Sequence, residues 1–149
     1  MLTRRGFAGA ALGALTVPAA AQAAAKPRLI VYKASGCSCC EGWIKSMWRA
    51  GYAPQVIVVD DLSPQWRSRG VPDQLSSCHM GLVGGYVTVG HVPPPDVDRL
   101  LRERPKAIGV SVPGMPDGSP GMERPDGKTE PYETLLMLPG GKYRVYARH

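Results

Sequence analysis

Three cysteines stand within four positions, Cys37-Ser38-Cys39-Cys40, between a short β-branched run and a stretch with helical periodicity. No other feature restricts the chain as much. Arg28-Leu-Ile-Val-Tyr32 reads as a buried strand, and Ser35-Gly36 ends it. Trp43, Ile44, Met47 and Trp48 then recur as one apolar stripe of a helix that Gly51 stops. Thiols at that join sit at a helix N-terminus, where free N–H groups and the helix dipole favour thiolate. Met47 lies inside the stripe, so its role is core packing.

The rest of the chain supplies the frame. Gln55 to Val59 reads as a second strand closed by the turn residues Asp60-Asp61. Ser63-Pro64 opens a short helix through Arg69, with Ser63 as N-cap and proline at the first helical position. Two short runs around Gly84-Gly85, Leu82-Val83 and Tyr86 to Val89, predict a hairpin. Asp96 to Arg104 predicts a helix with Val97, Leu100 and Leu101 facing inward, and Pro105 stops it. From Ala107 to Pro131 glycine, proline and polar residues predict a long loop, a type of segment often tied to function. Glu133 to Leu138 and Lys142 to Ala147, around Pro139-Gly-Gly141, predict a closing hairpin. Strand, helix, strand, short helix, hairpin and helix in this order predict an α/β, thioredoxin-like fold. Its central mixed sheet is flanked by helices, with a long Gly/Pro-rich loop and a C-terminal β-hairpin. Cys37 and Cys40 fall where such folds place a reactive pair. Cys78 enters the hairpin where thioredoxins carry a cis-proline facing that pair, so the topology lets Cys78, His79 or Met80 approach the cluster.

The N-terminus reads differently. Thr3-Arg4-Arg5-Gly6-Phe7 precedes an apolar, small-residue run from Ala8 to Val17, and Ala21-Gln22-Ala23 offers a signal-peptidase site. Residues 1–23 are thus expected to be a signal peptide of twin-arginine type, a route that exports folded proteins. The domain is expected over 24–149, in the periplasm. The apolar run is too short to be a good membrane span, and no membrane contact is expected after its removal. Losing Arg4 and Arg5 lowers the formal charge from +6 to +4. Arg99, Arg102 and Arg104 alternate with acids and lack interleaved aromatics, so they read as a solvated helix face; no nucleic-acid partner is expected.

The chain has four cysteines. A disulfide oxidoreductase needs Cys37 and Cys40 and has no use for Cys39 or Cys78. Two structural disulfides fit an exported protein, but three cysteines this close cannot all find good partners among four. A metal explains the surplus: clustered thiolates repel one another, and a bound cation relieves the repulsion. Soft thiolates select copper(I), zinc or iron–sulfur centres. Four thiolates would satisfy one tetrahedral zinc, whereas copper(I) also accepts thioethers and imidazoles, and bridging thiolates hold more than one ion. Copper(I) is therefore expected ahead of zinc. Cys37, Cys39, Cys40 and Cys78 are the expected ligands, with His79, His91 and Met115 as further candidates. His91 also reads as a hydrogen-bonded turn histidine, and Met115 and Met122 as pins holding the loop to the core. His149 is expected in solvent. No Ser–His–Asp set, phosphate loop or paired-carboxylate site stands out.

Six segments together carry a resemblance. They are Tyr32-Lys-Ala-Ser-Gly-Cys-Ser-Cys-Cys-Glu-Gly-Trp43, Gly70-Val-Pro, Ser77-Cys-His79, Gly85-Tyr-Val, Gly90-His-Val-Pro93 and Val112-Pro-Gly-Met-Pro-Asp-Gly-Ser-Pro-Gly-Met122. The chain resembles the CopG-like copper-resistance proteins over almost all of residues 24–149. The resemblance implies a periplasmic thioredoxin-like protein that binds copper through the Cys-x-Cys-Cys motif and a distant cysteine, here Cys37, Cys39, Cys40 and Cys78. Copper ions are the implied ligand, and other periplasmic copper-handling proteins the partners to expect. The chain departs from the family at Ser38, commonly glycine, and at Met80, usually threonine. Ser38 is tolerable where φ is negative; Met80 either adds a thioether or packs.

Overall fold

Alternation of apolar residues puts Leu29 and Val31 on the buried face of the first strand, β1 (Leu29–Ala34), with Lys33 buried after them. The computed structural model describes residues 25–149, and the leader expected over 1–23 lies outside them. After β1 come α1 (Ser38–Arg49), β2 (Pro54–Val59), α2 (Ser63–Arg67), β3 (His79–Val83), β4 (Tyr86–Gly90), α3 (Pro94–Glu103), β5 (Gly109–Val112), β6 (Glu133–Met137) and β7 (Tyr143–Arg148).

The strands form one mixed sheet in the order β2-β1-β3-β4-β5-β6-β7. β1 runs parallel to β2 and β4 parallel to β5; the other neighbours are antiparallel. Two cores cover it. One joins Trp43 and Met47 of α1 with Val97 and Leu100 of α3; the other gathers Leu62, Val71 and Leu75 with Met80, Val87 and Val89. Trp43 and Met47 are fully buried, and each such side chain contributes roughly 1.5–3 kcal/mol by leaving water.

Three expectations need correction. The Ala107–Pro131 segment is not all loop, since Gly109–Val112 forms β5, fully buried in mid-sheet. Its four residues sit among glycines and prolines, too short a run to show a period. Trp48 does not join the apolar stripe: the inward face of α1 is Cys40, Trp43 and Met47, and Trp48, a further 100° round the helix, is 69% exposed. Ser63 is the first residue of α2, and Leu62 holds the cap position. The turn at Asp61 is as expected, its carboxylate accepting the Ser63 N–H at 2.8 Å. Among the described residues no helix is long and apolar enough to cross a membrane.

The topology gathers one end of the sheet. β1 finishes there at Ala34, and antiparallel β3 starts beside it, with Lys33 paired to His79. β4 returns to the same end at Gly90, and β5, parallel to it, ends there at Val112. The cysteine turn, Cys78, His91 and the loop after Val112 therefore meet at one edge.

Candidate metal centre

Cys37 caps α1, and Cys39 and Cys40 occupy its first turn, so a single turn of helix presents three sulfurs. Cys78 arrives from the opposite direction, one residue before β3, its carbonyl accepting the Ala34 N–H at 3.2 Å. Its Sγ lies 3.2 Å from that of Cys37, 3.4 Å from Cys40 and 3.6 Å from Cys39. All four sulfurs fall within 4.8 Å of one another. Cys37 and Cys40 are joined as a disulfide, while Cys39 and Cys78 are free.

This set fits a soft metal. Metal–sulfur bonds of about 2.3 Å in a tetrahedron separate the sulfurs by roughly 3.8 Å; the contacts at 3.2 to 3.6 Å are already close to that, and the Cys37–Cys40 pair reaches it only once its disulfide is reduced and the two sulfurs part. Burial pushes the Cys78 thiol up, and the hydrogen bond and charge of Cys39 push it further. A second thiolate beside the first is disfavoured until a cation neutralises both.

Behind Cys78 stand two fully buried histidines. The His79 ring packs on Trp43 with centroids 4.7 Å apart, and edge-on to His91 at 5.2 Å. Its Nδ1 is 3.7 Å from the Cys78 sulfur. Burial drives the His79 pKa down to about 3, helped by His91 and Lys33 and opposed by the Gly90 carbonyl, so the ring is neutral. His91 Nδ1 lies 2.9 Å from the Pro120 carbonyl. Neither Nε2 has a hydrogen-bond partner.

The long loop closes the site from the solvent side. Met115 places its sulfur 4.0 Å from Cys39 Sγ and remains 58% exposed. Met122 closes the loop through its backbone, accepting the Gly118 N–H and donating to Ser119. The loop docks on α1 at two glycines: a Cβ on Gly42 would come within 2.5 Å of Gly121 Cα, and one on Gly121 within 2.6 Å of the Cys39 carbonyl and Trp43 nitrogen. Gly121 also holds φ at +91°, where glycine is at home.

The structure thus brings together six of the expected residues, Cys37, Cys39, Cys40, Cys78, His79 and His91, with Met115 at the rim. Met80 packs in the core instead of joining them. His149 is exposed, as expected, but its ring also hydrogen-bonds Asp96 and stacks on Tyr132, because it follows β7, the partner of β6. Sequence reasoning missed the carbonyl of Pro120 and the Gly42–Gly121 contact. A signal for the first exists: Pro-Gly-Met occurs at both 113–115 and 120–122.

Residues 75–122 match the model of a protein family of unknown function, DUF411. That span holds Cys78, His79, His91 and Met115. Two solved structures of copper resistance protein CopG, Form 1 and Form 2, are each 36% identical, with a TM-score of 0.77. Each alignment covers 83% of this chain and 98% of the other. The chain belongs to the CopG copper-resistance family. No curated protein matches it at a significant level. The CopG likeness extends over the fold as a whole, beyond the 75–122 segment, and so takes in the Cys-x-Cys-Cys turn as well.

Proposed function

We propose that this chain is a periplasmic copper(I)-binding protein of copper resistance, built as a thioredoxin-like domain. The observation that carries the reading is the convergence of four sulfurs from two separate chain segments within 4.8 Å. The four-strand order β2-β1-β3-β4, with β1 and β2 parallel and the reactive turn following β1, supports the thioredoxin-like description. The twin-arginine leader read from residues 1–23 supports export. Reduction of the Cys37–Cys40 disulfide adds two thiols to the free Cys39 and Cys78, and the four give up protons as copper(I) binds. Copper is favoured over zinc by the copper-resistance relatives and by the thioether of Met115, a donor suited to copper(I). Other periplasmic copper-handling proteins are the natural exchange partners.

The decisive measurement is copper stoichiometry with thiol counting on anaerobically reduced protein. Copper bound with loss of all four thiols supports the reading. It fails if no copper binds, or if Cys39→Ser and Cys78→Ser leave binding unchanged.

The disulfide itself favours a second reading, a thiol–disulfide oxidoreductase using Cys37 and Cys40. Closing that bond gives up two protons and two electrons to a disulfide substrate, through a mixed disulfide. Reductase or isomerase activity that survives loss of both Cys39 and Cys78 would establish it.

A further inference from the structure

The sheet has two edges, and they are finished differently. β7 closes one side with Arg144 and Arg148 exposed along it, and its pairing with β6 carries a register shift at Thr134/Leu135. Charge and irregular pairing are the usual guards of an edge strand. β2 closes the other side, and its six residues, Pro54-Gln-Val-Ile-Val-Val59, hold no charge. Among the described residues no strand pairs with its outer side, so alternate N–H and C=O groups face outward.

One face of β2 is apolar as well. In the parallel register Leu29 pairs with Pro54, Val31 with Val56 and Lys33 with Val58, and such partners share a face of the sheet. Leu29 and Val31 pack in one cluster with Trp43 and Met47 of α1, so Pro54, Val56 and Val58 lie on the α1 side. The helix leaves them open: Val56 is 41% exposed and Val58 56%. Beside them runs a groove of about 460 Å³ lined by Glu41, Ile44, Lys45, Trp48 and Pro54. An uncharged apolar edge of this kind is a template for another chain.

The charges around β2 indicate which chain. Arg28 is exposed and donates to Gln55 near the start of the strand, and Arg49 is exposed at the end of α1, just before the turn into β2. Asp60 and Asp61 are exposed at the other end. None of these four forms an ion pair with another described residue. The edge is basic where it begins and acidic where it ends, so its complement is the same edge turned end for end.

We propose that two copies of this chain pair edge to edge through β2, antiparallel about a two-fold axis at Ile57. Val56 then lies opposite Val58 of the partner subunit, and the symmetry repeats the contact, with both valine pairs on the α1 face. Asp60 and Asp61 meet the basic end of the partner strand, twice over. The outward backbone groups gain partners, and the Trp48 groove of each copy faces the seam. The proposal uses none of the metal-ligating residues and is independent of the copper reading. A seam of six residues a side is of the small class, below about 1,200 Å², so dissociation on the order of 10 µM is expected.

Sedimentation equilibrium of the full chain measures that constant, in reducing buffer to exclude disulfide-linked dimers. The double variant Val56→Lys/Val58→Lys sets lysine opposite lysine at both pairs and should weaken association about 10-fold or more, with the circular dichroism of wild type. A second pair of variants leaves the apolar seam intact. Arg28→Glu/Arg49→Glu and Asp60→Lys/Asp61→Lys each set like charges together and should each lose roughly 10-fold. Mixed, the two should recover wild-type affinity as heterodimers, read by native mass spectrometry. Nuclear Overhauser contacts in a mixed-label sample should place Val56 against Val58 of the partner subunit. The proposal is overturned if the chain is monomeric at about 100 µM, if the lysine variant associates like wild type, or if the mixed charge variants do not recover. Contacts from Val56 and Val58 to residues 8–17 of the same chain would make the leader the occupant of the edge and overturn it too.

Discussion

Two buried polar clusters in this molecule are built on opposite principles. In the first, Asp96 at the start of α3 accepts hydrogen bonds from the Thr134 hydroxyl and, at 2.9 Å, from His149 Nε2. The His149 ring stacks on Tyr132, and the backbones of these two residues pair in both directions. Each of these side chains has its partner, and the cluster ties the last residue of the chain to a helix. In the second, at the cysteine end, the imidazole Nε2 atoms of His79 and His91 have no partner and four sulfurs face one another. A fold keeps unmatched donors in its interior only for a reason. The closed cluster holds the structure; the open one holds something else.

The sharpest way to break this contrast is Cys78→Ser. Cys78 faces both the other three sulfurs and His79, and serine keeps its size but not its soft sulfur. Copper affinity should fall by about 100-fold or more, beyond the 10–100-fold typical of second-shell changes, while the melting temperature barely moves. Competition titration and calorimetry on the same sample check both halves. Gly121→Ala comes next. The new methyl meets the Cys39 carbonyl and the Trp43 nitrogen at 2.6 Å, on a backbone with φ of +91°, so the loop must lift from α1. That frees the Pro120 carbonyl from His91 and should weaken copper binding by roughly 10–100-fold, along with a loss of stability. Unchanged affinity would mean that the loop is only a cover. Asp96→Ala tests the other cluster. Removing the carboxylate that accepts from both, with only the 3.2 Å Thr134–His149 contact left between them, should cost about 1–3 kcal/mol in chemical denaturation and leave copper stoichiometry as in wild type.

Much of the cysteine end was legible in the sequence, because its signals are local. Three cysteines at a strand–helix join fix where three sulfurs go, and Gly84-Gly85 fixes the hairpin that returns Cys78 and His91 to the same edge. What stayed hidden depends on long-range contact. β5 is four residues long and owes its existence to β4 and β6 on either side. The pairing of Cys37 with Cys40, rather than with Cys39 or Cys78, is a matter of geometry among sulfurs that spacing leaves open. His149 looked like a free terminus because nothing near it in sequence hints at Asp96. Trp48 shows the limit of reading a stripe without the sheet it faces.

A gentler test separates acid response from metal binding. The Asp98 carboxylate lies 2.6 and 2.8 Å from the Lys26 ammonium and 2.6 Å from the Tyr52 hydroxyl. Burial alone would raise its pKa, but the hydrogen bonds from Lys26 and Tyr52 and the charges of Lys26 and Arg102 hold it below the usual value. A depressed folded pKa adds stability above the unfolded value of about 3.9, and that stability is lost as pH falls through the folded pKa. Wild type should therefore lose its advantage over Asp98→Asn below about pH 4. The advantage itself should stay under about 1 kcal/mol, because water screens this half-exposed pair. Denaturation curves from pH 2 to 7 check it, and copper affinity at neutral pH should not differ between the two proteins.

Met115 carries the smallest expected effect and the finest distinction. Its sulfur is 4.0 Å from Cys39 Sγ, but the side chain is 58% exposed, so packing contributes little and any ligation is at the solvent edge of the nest. Leucine matches methionine in size and apolar character while lacking the thioether. If Met115 only pins the loop, Met115→Leu should bind copper(I) like wild type and Met115→Ala should be slightly weaker. If the thioether is an outer donor, both variants should lose the same few-fold in affinity, about 1 kcal/mol or less, and copper should leave faster in stopped-flow transfer to a chelator. A zinc titration adds the contrast. A thioether selects copper(I) and does little for zinc, so zinc binding to the reduced nest should be indifferent to either change. Equal losses for both metals would assign Met115 to the loop's packing and leave the selectivity of the site to its four sulfurs.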